Sequence, residues 1–377
     1  MPSKPAQTAS RPPIFDGLDV RVTDGRIEGD DALLVISFPS YRTNQSFANR
    51  GFAERWLAER RISAVEVKAS WNHWMQVPDT EPAMAAIKAI AGSYRRVVTY
   101  GSSMGGYAAA ACSAAVGAHA VVAISPQYSI DPAKTGWDKR WLPYARTILG
   151  RGGFIRDDMA TQLAPDAALH IIADPWNPDA EHAALIGRHS LRPEGLLALG
   201  CGHSAAAGLR DFGLLGSCAV SLLRGTESVG HWRRQLRARR AQSHRYWRLL
   251  GERQILRGAR GQAGALAAAA RCAELAFAAV TVPGPPEAVS LKSAAVIQRR
   301  LSRTEDALAI LERLASTNSH NAATAGLFAN IWLDLRRLPE AREWLAEAER
   351  LQAPPHATAA IRQRLSRLSA TMVPGPE

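Results

Sequence analysis

The sequence predicts an α/β domain built on a doubly wound, mostly parallel sheet, followed by an all-helical tail. Three observations carry this. From about Asp31 to Gly200, short apolar runs alternate with amphipathic helical stretches. After about residue 225 no strand-like run follows, and Ala, Leu, Arg and Glu dominate. Downstream, the chain repeats itself at a fixed interval.

The apolar runs are ALLVISF (32–38), ISAVEVKA (62–69), RRVVTYG (95–101), HAVVAIS (119–125), LHIIAD (169–174) and GLLALG (195–200). Most are apolar almost throughout, as parallel strands covered on both faces must be. GFAERWLAERR (51–61) and EPAMAAIKAIAG (81–92) between them have helical periodicity and complete βαβ units. DVRVTDGRI (19–27) is read as an added antiparallel edge strand.

In the tail, SRTEDALAILERLA (302–315) aligns with RRLPEAREWLAEAE (336–349). Ala295 falls on Ala329, Leu301 on Leu335, Arg303 on Arg337, Ala307 on Ala341 and Leu311 on Leu345. Small residues that allow close helix contact and large ones that fill it recur in phase. The offset is the tetratricopeptide (TPR) period, and 286–370 resembles TPR-like helical repeats. The resemblance implies a protein partner on a concave face. VTVPGPPEA (280–288) breaks the helical register and reads as a linker. The stretch 226–285 reads as a basic, Ala-rich helical connector.

Composition narrows the class. The net charge is +12. Ten arginines lie against one acid, Glu252, between His231 and Gly261, so the remainder is near balance. This block is predicted helical, with Trp232, Leu236, Trp247, Leu250 and Leu256 as apolar contacts. Three readings stay open for it: nucleic-acid binding, contact with an anionic membrane face or acidic glycan, or a solvated Arg-rich connecting helix. No nucleic-acid-binding motif supports the first. No run of about 18 apolar residues occurs. The start, MPSKPAQTASRPP, lacks an apolar leader and reads as a disordered N-terminus over 1–13. Cys112, Cys201, Cys218 and Cys272 have no CxxC spacing and read as reduced thiols. The expectation is a cytoplasmic protein with no metal and no cofactor.

The chemistry concentrates at RRVVTYGSSMGGY (95–107), where a buried strand meets glycines and an alanine-rich helix. Gly101-Ser102-Ser103-Met104-Gly105 fits G-x-S-x-G between strand and helix, the setting of a nucleophile elbow. The spacing fits neither a dinucleotide-binding fingerprint nor a Walker A loop. A serine hydroxyl needs a histidine to take its proton and an acid to orient that histidine. LHIIAD ends at Asp174, within ADPWNPDAEHA, and GLLALG is followed by CGHSAAAG with His203. The order Ser, acid, His matches that of hydrolases with this elbow. Asp174, directly at the strand end, is preferred as the acid, with Asp179 in the same loop as the alternative.

On these motifs residues 14–225 resemble the α/β-hydrolase superfamily, with GSSMGGYAA similar to its esterase-like members. AISPQYSIDP and IIADPWNPDAEHA resemble a bacterial branch of small hydrolases, often joined to TPR segments and linked to surface-glycan metabolism. The resemblance implies Ser103 as nucleophile, His203 as general base and Asp174 as its orienting acid. The N–H of Met104 would be one oxyanion donor. The second comes from a loop that here reads ISFPSYRTNQ. Pro39 has no N–H, leaving Phe38, Ser40 or Tyr41, of which Ser40 is taken.

Residues 127–166 form an insertion at the position of a cap, with Trp137, Lys139, Arg140, Trp141 and Tyr144 suited either to a sugar or anionic acyl group or to inward packing. The expected function is a serine hydrolase cleaving a carboxylic ester, with acyl groups on a glycan as one substrate class. The alternatives are acyl transfer by the same residues and a non-catalytic scaffold using the tail.

Overall fold

The computed structural model describes residues 11–280, 285–315 and 321–371. The chain forms two compact units that divide between Ala238 and Arg239.

The first unit is built on one eight-stranded sheet. Its strands are β1 (Phe15–Asp16), β2 (Val20–Gly25), β3 (Leu34–Ser37), β4 (Ser63–Ala69), β5 (Val97–Ser102), β6 (Ala120–Ile124), β7 (Ala168–Ala173) and β8 (Pro193–Leu197). The spatial order is β1-β2-β4-β3-β5-β6-β7-β8. β1 and β2 are antiparallel, and every pairing from β4 through β8 is parallel. A mostly parallel sheet with helical crossovers is a doubly wound α/β architecture. All six apolar runs became strands, and 19–27 supplied the antiparallel strand β2, which is not the edge strand expected, because the two-residue β1 pairs outside it. β8 starts two residues before the GLLALG run, at Pro193. As the last strand of the sheet it lacks an outer neighbour, and an edge tolerates a residue without an N–H.

Alternation sorts the strand side chains to two covered faces. Leu34 and Ile36 of β3 join a core with Met84 and Ile87 of the helix Thr80–Ala91 and Ala108 of the helix Met104–Ala111. The intervening Val35 is equally buried on the other face.

Of the N-terminal stretch 1–13, residues 1–10 lie outside the described residues, and Arg11 donates to the carbonyl of Arg26. All four cysteines are buried, with no disulfide between them. Among the described residues no single helix is long and apolar enough to cross a membrane, although the bent pair Ala205–Asp211 and Leu215–Arg224 passes that test jointly.

The Arg-rich block is two helices, Val229–Arg239 and His244–Ala259, joined by a 3-10 turn. Ser243 caps the second through the N–H of Tyr246. Trp232 and Leu236 are buried as expected. Leu256 is 63% exposed. The pattern misplaced it, because the apolar face of the second helix runs through Tyr246 and Gly251 instead.

In the second unit, helices Pro285–Arg300 and Thr304–Ala315 form one antiparallel pair and Ala322–Asp334 and Leu338–Arg350 another. Arg300 and Asp334 end corresponding helices 34 residues apart, and Thr304 and Leu338 begin corresponding helices at the same offset. Ala295, Ala329, Ala307 and Ala341 are fully buried where the helices meet. Phe328 and Trp344 stack at 3.9 Å. Of the expected linker 280–288, residues 281–284 lie outside the described residues and the helix resumes at Pro285, a favoured first helical position.

Candidate active site

β5 delivers the chain to Ser103 in a conformation that costs energy. Ser103 has φ 55° and ψ −119° and stands immediately before the helix Met104–Ala111. A non-glycine residue with positive φ persists only where surrounding contacts hold it. The Ser103 N–H is held by the Ile124 carbonyl at 2.8 Å, and its own carbonyl accepts from Tyr107. The flanking glycines are needed because backbone passes where a Cβ would stand. A Cβ on Gly101 would lie 2.1 Å from the Gly105 carbonyl oxygen, and one on Gly105 would lie 2.5 Å from that of Phe38. The second close approach also brings the Phe38–Pro39 loop, which leads to Ser40, against the start of this helix. Ser40 Oγ is buried and has no hydrogen-bond partner.

The loop after β8 brings His203 to the serine. His203 Nε2 lies 2.9 Å from Ser103 Oγ. On the far side of the ring, Nδ1 lies 2.7 Å from Asp179 Oδ2. A carboxylate accepts, so Nδ1 carries the proton and Nε2 faces the serine hydroxyl as an acceptor. Serine, imidazole and carboxylate are thus connected in one line, with Asp179 fully buried.

Asp174 is not the carboxylate against His203, which corrects the preference for it. Its two oxygens accept the N–H groups of Trp176 at 2.9 Å and Gly202 at 2.6 Å. It ties the end of β7 to the loop that carries His203. Burial raises its pKa against the opposing pull of those backbone bonds. Both acids lie in one loop, and nearness to the strand end favoured the one that does not reach the His203 ring. Asp179 comes later, as the first residue of the helix Asp179–Gly187, where the side chain of Asn177 accepts its N–H.

Several residues here carry no sequence motif. Gln127, fully buried just beyond β6, points its amide nitrogen at Ser103 Oγ over 3.4 Å while its oxygen accepts from the indole of Trp74. Trp74 and Met75 both have positive φ, so the loop beyond β4 is strained where it meets the site. Trp74 packs on Trp141 and Tyr144, and the Trp141 ring lies 5.3 Å from that of His203. Tyr144 donates its hydroxyl to Tyr41 at 2.7 Å.

The insertion between β6 and β7 is therefore mixed. Trp141 packs inward, Trp137 stays 40% exposed beside His182, and Lys139 is exposed. Arg140 turns inward to Asp138 and Asp179. Among the described residues no group of three metal-ligating side chains is present.

No family model matches the sequence, and no curated protein matches it. Solved structures that resemble the chain include a capsule O-acetyltransferase of Neisseria meningitidis serogroup A, at 12% identity over 56% of this chain and 93% of that one, TM-score 0.40. A thermophilic esterase of Thermogutta terrifontis is 15% identical over 50% of this chain and 80% of its own, TM-score 0.37. An α/β serine hydrolase without a lid from Xanthomonas campestris is 13% identical over 56% and 97%, TM-score 0.32.

Proposed function

We propose that the chain is a serine hydrolase that cleaves carboxylic esters through an acyl-enzyme. The observation that carries this reading is the line from Ser103 Oγ through the His203 ring to Asp179 Oδ2, with contacts of 2.9 and 2.7 Å.

His203 Nε2 takes the proton of Ser103 as the hydroxyl oxygen attacks the ester carbonyl carbon. Asp179 holds the ring by Nδ1 and offsets the positive charge that forms on it. The tetrahedral oxyanion is stabilised by the N–H of Met104 at the helix start, with Ser40 as the second donor. His203 then returns the proton to the departing alcohol, leaving the acyl group on Ser103. In the second half, water gives its proton to His203 and attacks the acyl carbon, and the acid and Ser103 are released. An acceptor hydroxyl, such as one on a sugar, in place of that water gives acyl transfer. Gln127 holds the serine oxygen in place between turnovers.

The recurrence of helix pairs at 34 residues supports reading 286–370 as TPR-like repeats that hold a protein partner.

The test is labelling with a fluorophosphonate and mapping of the modified peptide, with Ser103→Ala as control. Labelling confined to Ser103 is expected. A folded wild-type chain that does not react, or that reacts equally with Ser103→Ala, rejects the reading.

A further inference from the structure

We propose that Arg140, from the insertion between β6 and β7, is a positioning residue that locks Asp179 against His203, so that the insertion is part of the catalytic apparatus. This rests on the triad reading above and extends it to a segment that supplies none of the three triad residues.

The geometry is a fork with few spare donors. Arg140 Nε and Nη2 grip the two oxygens of Asp138 at 2.8 and 2.6 Å. The same Nη2 reaches Asp179 Oδ1 at 2.7 Å, and Nη1 reaches Asn177 Oδ1 at 2.9 Å. Asp179 thus has one oxygen on Arg140 and the other on His203. Neither can shift without breaking a charge-assisted bond. The Asn177 oxygen that takes Nη1 also accepts the N–H of Asp179, so the guanidinium fixes the backbone of the acid as well as its carboxylate.

Asp138 is anchored in turn. It caps the short turn carrying Arg140 by accepting that residue's N–H. It also accepts from His182 Nε2 at 3.0 Å. His182 Nδ1 takes the N–H of Tyr128 at 3.0 Å, which leaves the proton on Nε2. Burial lowers the pKa of His182 and keeps the ring neutral.

Charge accounting explains why a cation is needed. Asp138 and Asp179 are both buried, and one guanidinium nitrogen bridges them. Arg140 cancels Asp138, which leaves a single negative charge to meet the imidazolium forming at His203. Without Arg140, two buried carboxylates face each other uncompensated, and Asp179 is free to turn from the ring. Only Arg carries the planar fork that holds both at once. Lys offers a point charge.

The test follows the reaction of the full chain with a fluorophosphonate, separating the maximal rate of phosphonylation from the affinity of the encounter. Arg140→Gln is expected to lower the maximal rate roughly 10- to 100-fold, the cost of a misplaced catalytic group, with affinity within about twofold. Arg140→Lys should recover part of that loss. Arg140→Gln reacting at the wild-type rate overturns the inference while leaving the triad reading intact. A loss confined to affinity, with Lys no better than Gln, assigns Arg140 to the shape of the insertion and also overturns it. If Arg140→Gln does not fold, Arg140→Lys and Asp138→Asn decide: both must slow the maximal rate, and wild-type rates in both reject the proposal. A wild-type chain that does not react removes the triad reading and this inference with it.

Discussion

His203 Nδ1 stands 2.7 Å from Asp179 Oδ2, while Asp174, five residues earlier in the same loop, accepts the N–H of the residue before His203 at 2.6 Å. The two acids divide the work. One touches the imidazole and the other shapes the loop that presents it. An orienting carboxylate fixes the tautomer of its histidine, and a loop clamp fixes where the ring stands.

The two aspartates should therefore separate in mutagenesis. Asp179→Asn is expected to reduce turnover of a simple ester by about 10³- to 10⁴-fold, because an amide can present a donor to Nδ1 and favour the wrong tautomer. Its melting temperature should change far less than its rate. Asp174→Asn turns an amide nitrogen, which cannot accept, toward backbone N–H groups that the carboxylate oxygens accept. It should destabilise by about 1–3 kcal/mol with a smaller loss of rate. Steady-state kinetics beside thermal melting distinguishes them. A larger rate loss for Asp174→Asn would reverse the assignment.

The elbow glycines should be intolerant for steric reasons. A Cβ on Gly101 would stand 2.1 Å from the carbonyl oxygen of Gly105, which is backbone and cannot swing aside. Gly101→Ala is expected to cost about 1–3 kcal/mol, in the range of overpacked sites. It should also slow fluorophosphonate labelling by displacing Ser103. Gly92→Ala, where nothing lies within 4 Å of the new atom, is the control. Equal stability in the two variants would refute the close-packed elbow.

Much of this arrangement is legible in the amino-acid sequence because it depends on local rules. Buried parallel strands must be apolar on both faces, which marks β3 to β7 within a few residues. A serine at a strand-to-helix apex needs small neighbours, which marks Ser103, and His203 follows the last apolar run. What stays hidden depends on where side chains point across space. Asp174 and Asp179 differ by little more than one helical turn, and only the helix start at Asp179 and the N–H groups around Asp174 decide between them. Gln127 and Arg140, both from the connection between β6 and β7, and Trp74, from the loop beyond β4, reach the site without any motif. Leu256 misleads because a helix of arginines and leucines offers more than one apolar stripe.

Trp232 should matter to the Arg-rich helices far more than Leu256. Its ring is 6% exposed and its indole N–H donates to Ser221 Oγ at 2.7 Å. Trp232→Ala is expected to destabilise by about 3–5 kcal/mol and Trp232→Phe by about 1 kcal/mol or more for the lost donor. Leu256→Ala should stay within about 0.5 kcal/mol of wild type. Chemical denaturation of the three variants checks the ranking. A Leu256→Ala loss matching that of Trp232→Ala would contradict the burial pattern.

The pH dependence of stability should hide two opposing titrations beside β4. Burial raises the Glu66 carboxyl to about 7, although it accepts from Thr23. Burial lowers His73 to about 4, although its Nε2 faces the Asp19 carbonyl. The folded chain keeps the Glu66 proton after the unfolded chain has lost it, from 4.5 up to about 7. Stability therefore falls as pH rises through that window. The unfolded chain takes up the His73 proton near 6.5, the folded chain only at about 4. Stability therefore falls as pH drops through this second window. Over the shared range the slopes oppose and the wild-type profile should be shallow. Glu66→Gln removes the first slope. It should raise stability above neutral pH by on the order of 1–3 kcal/mol and leave a profile that climbs with pH until His73 is neutral in both states. Denaturation of wild type and Glu66→Gln at about pH 5 and about pH 8 measures this directly. Parallel profiles for the two proteins would mean that Glu66 is ionised in the folded chain at both pH values.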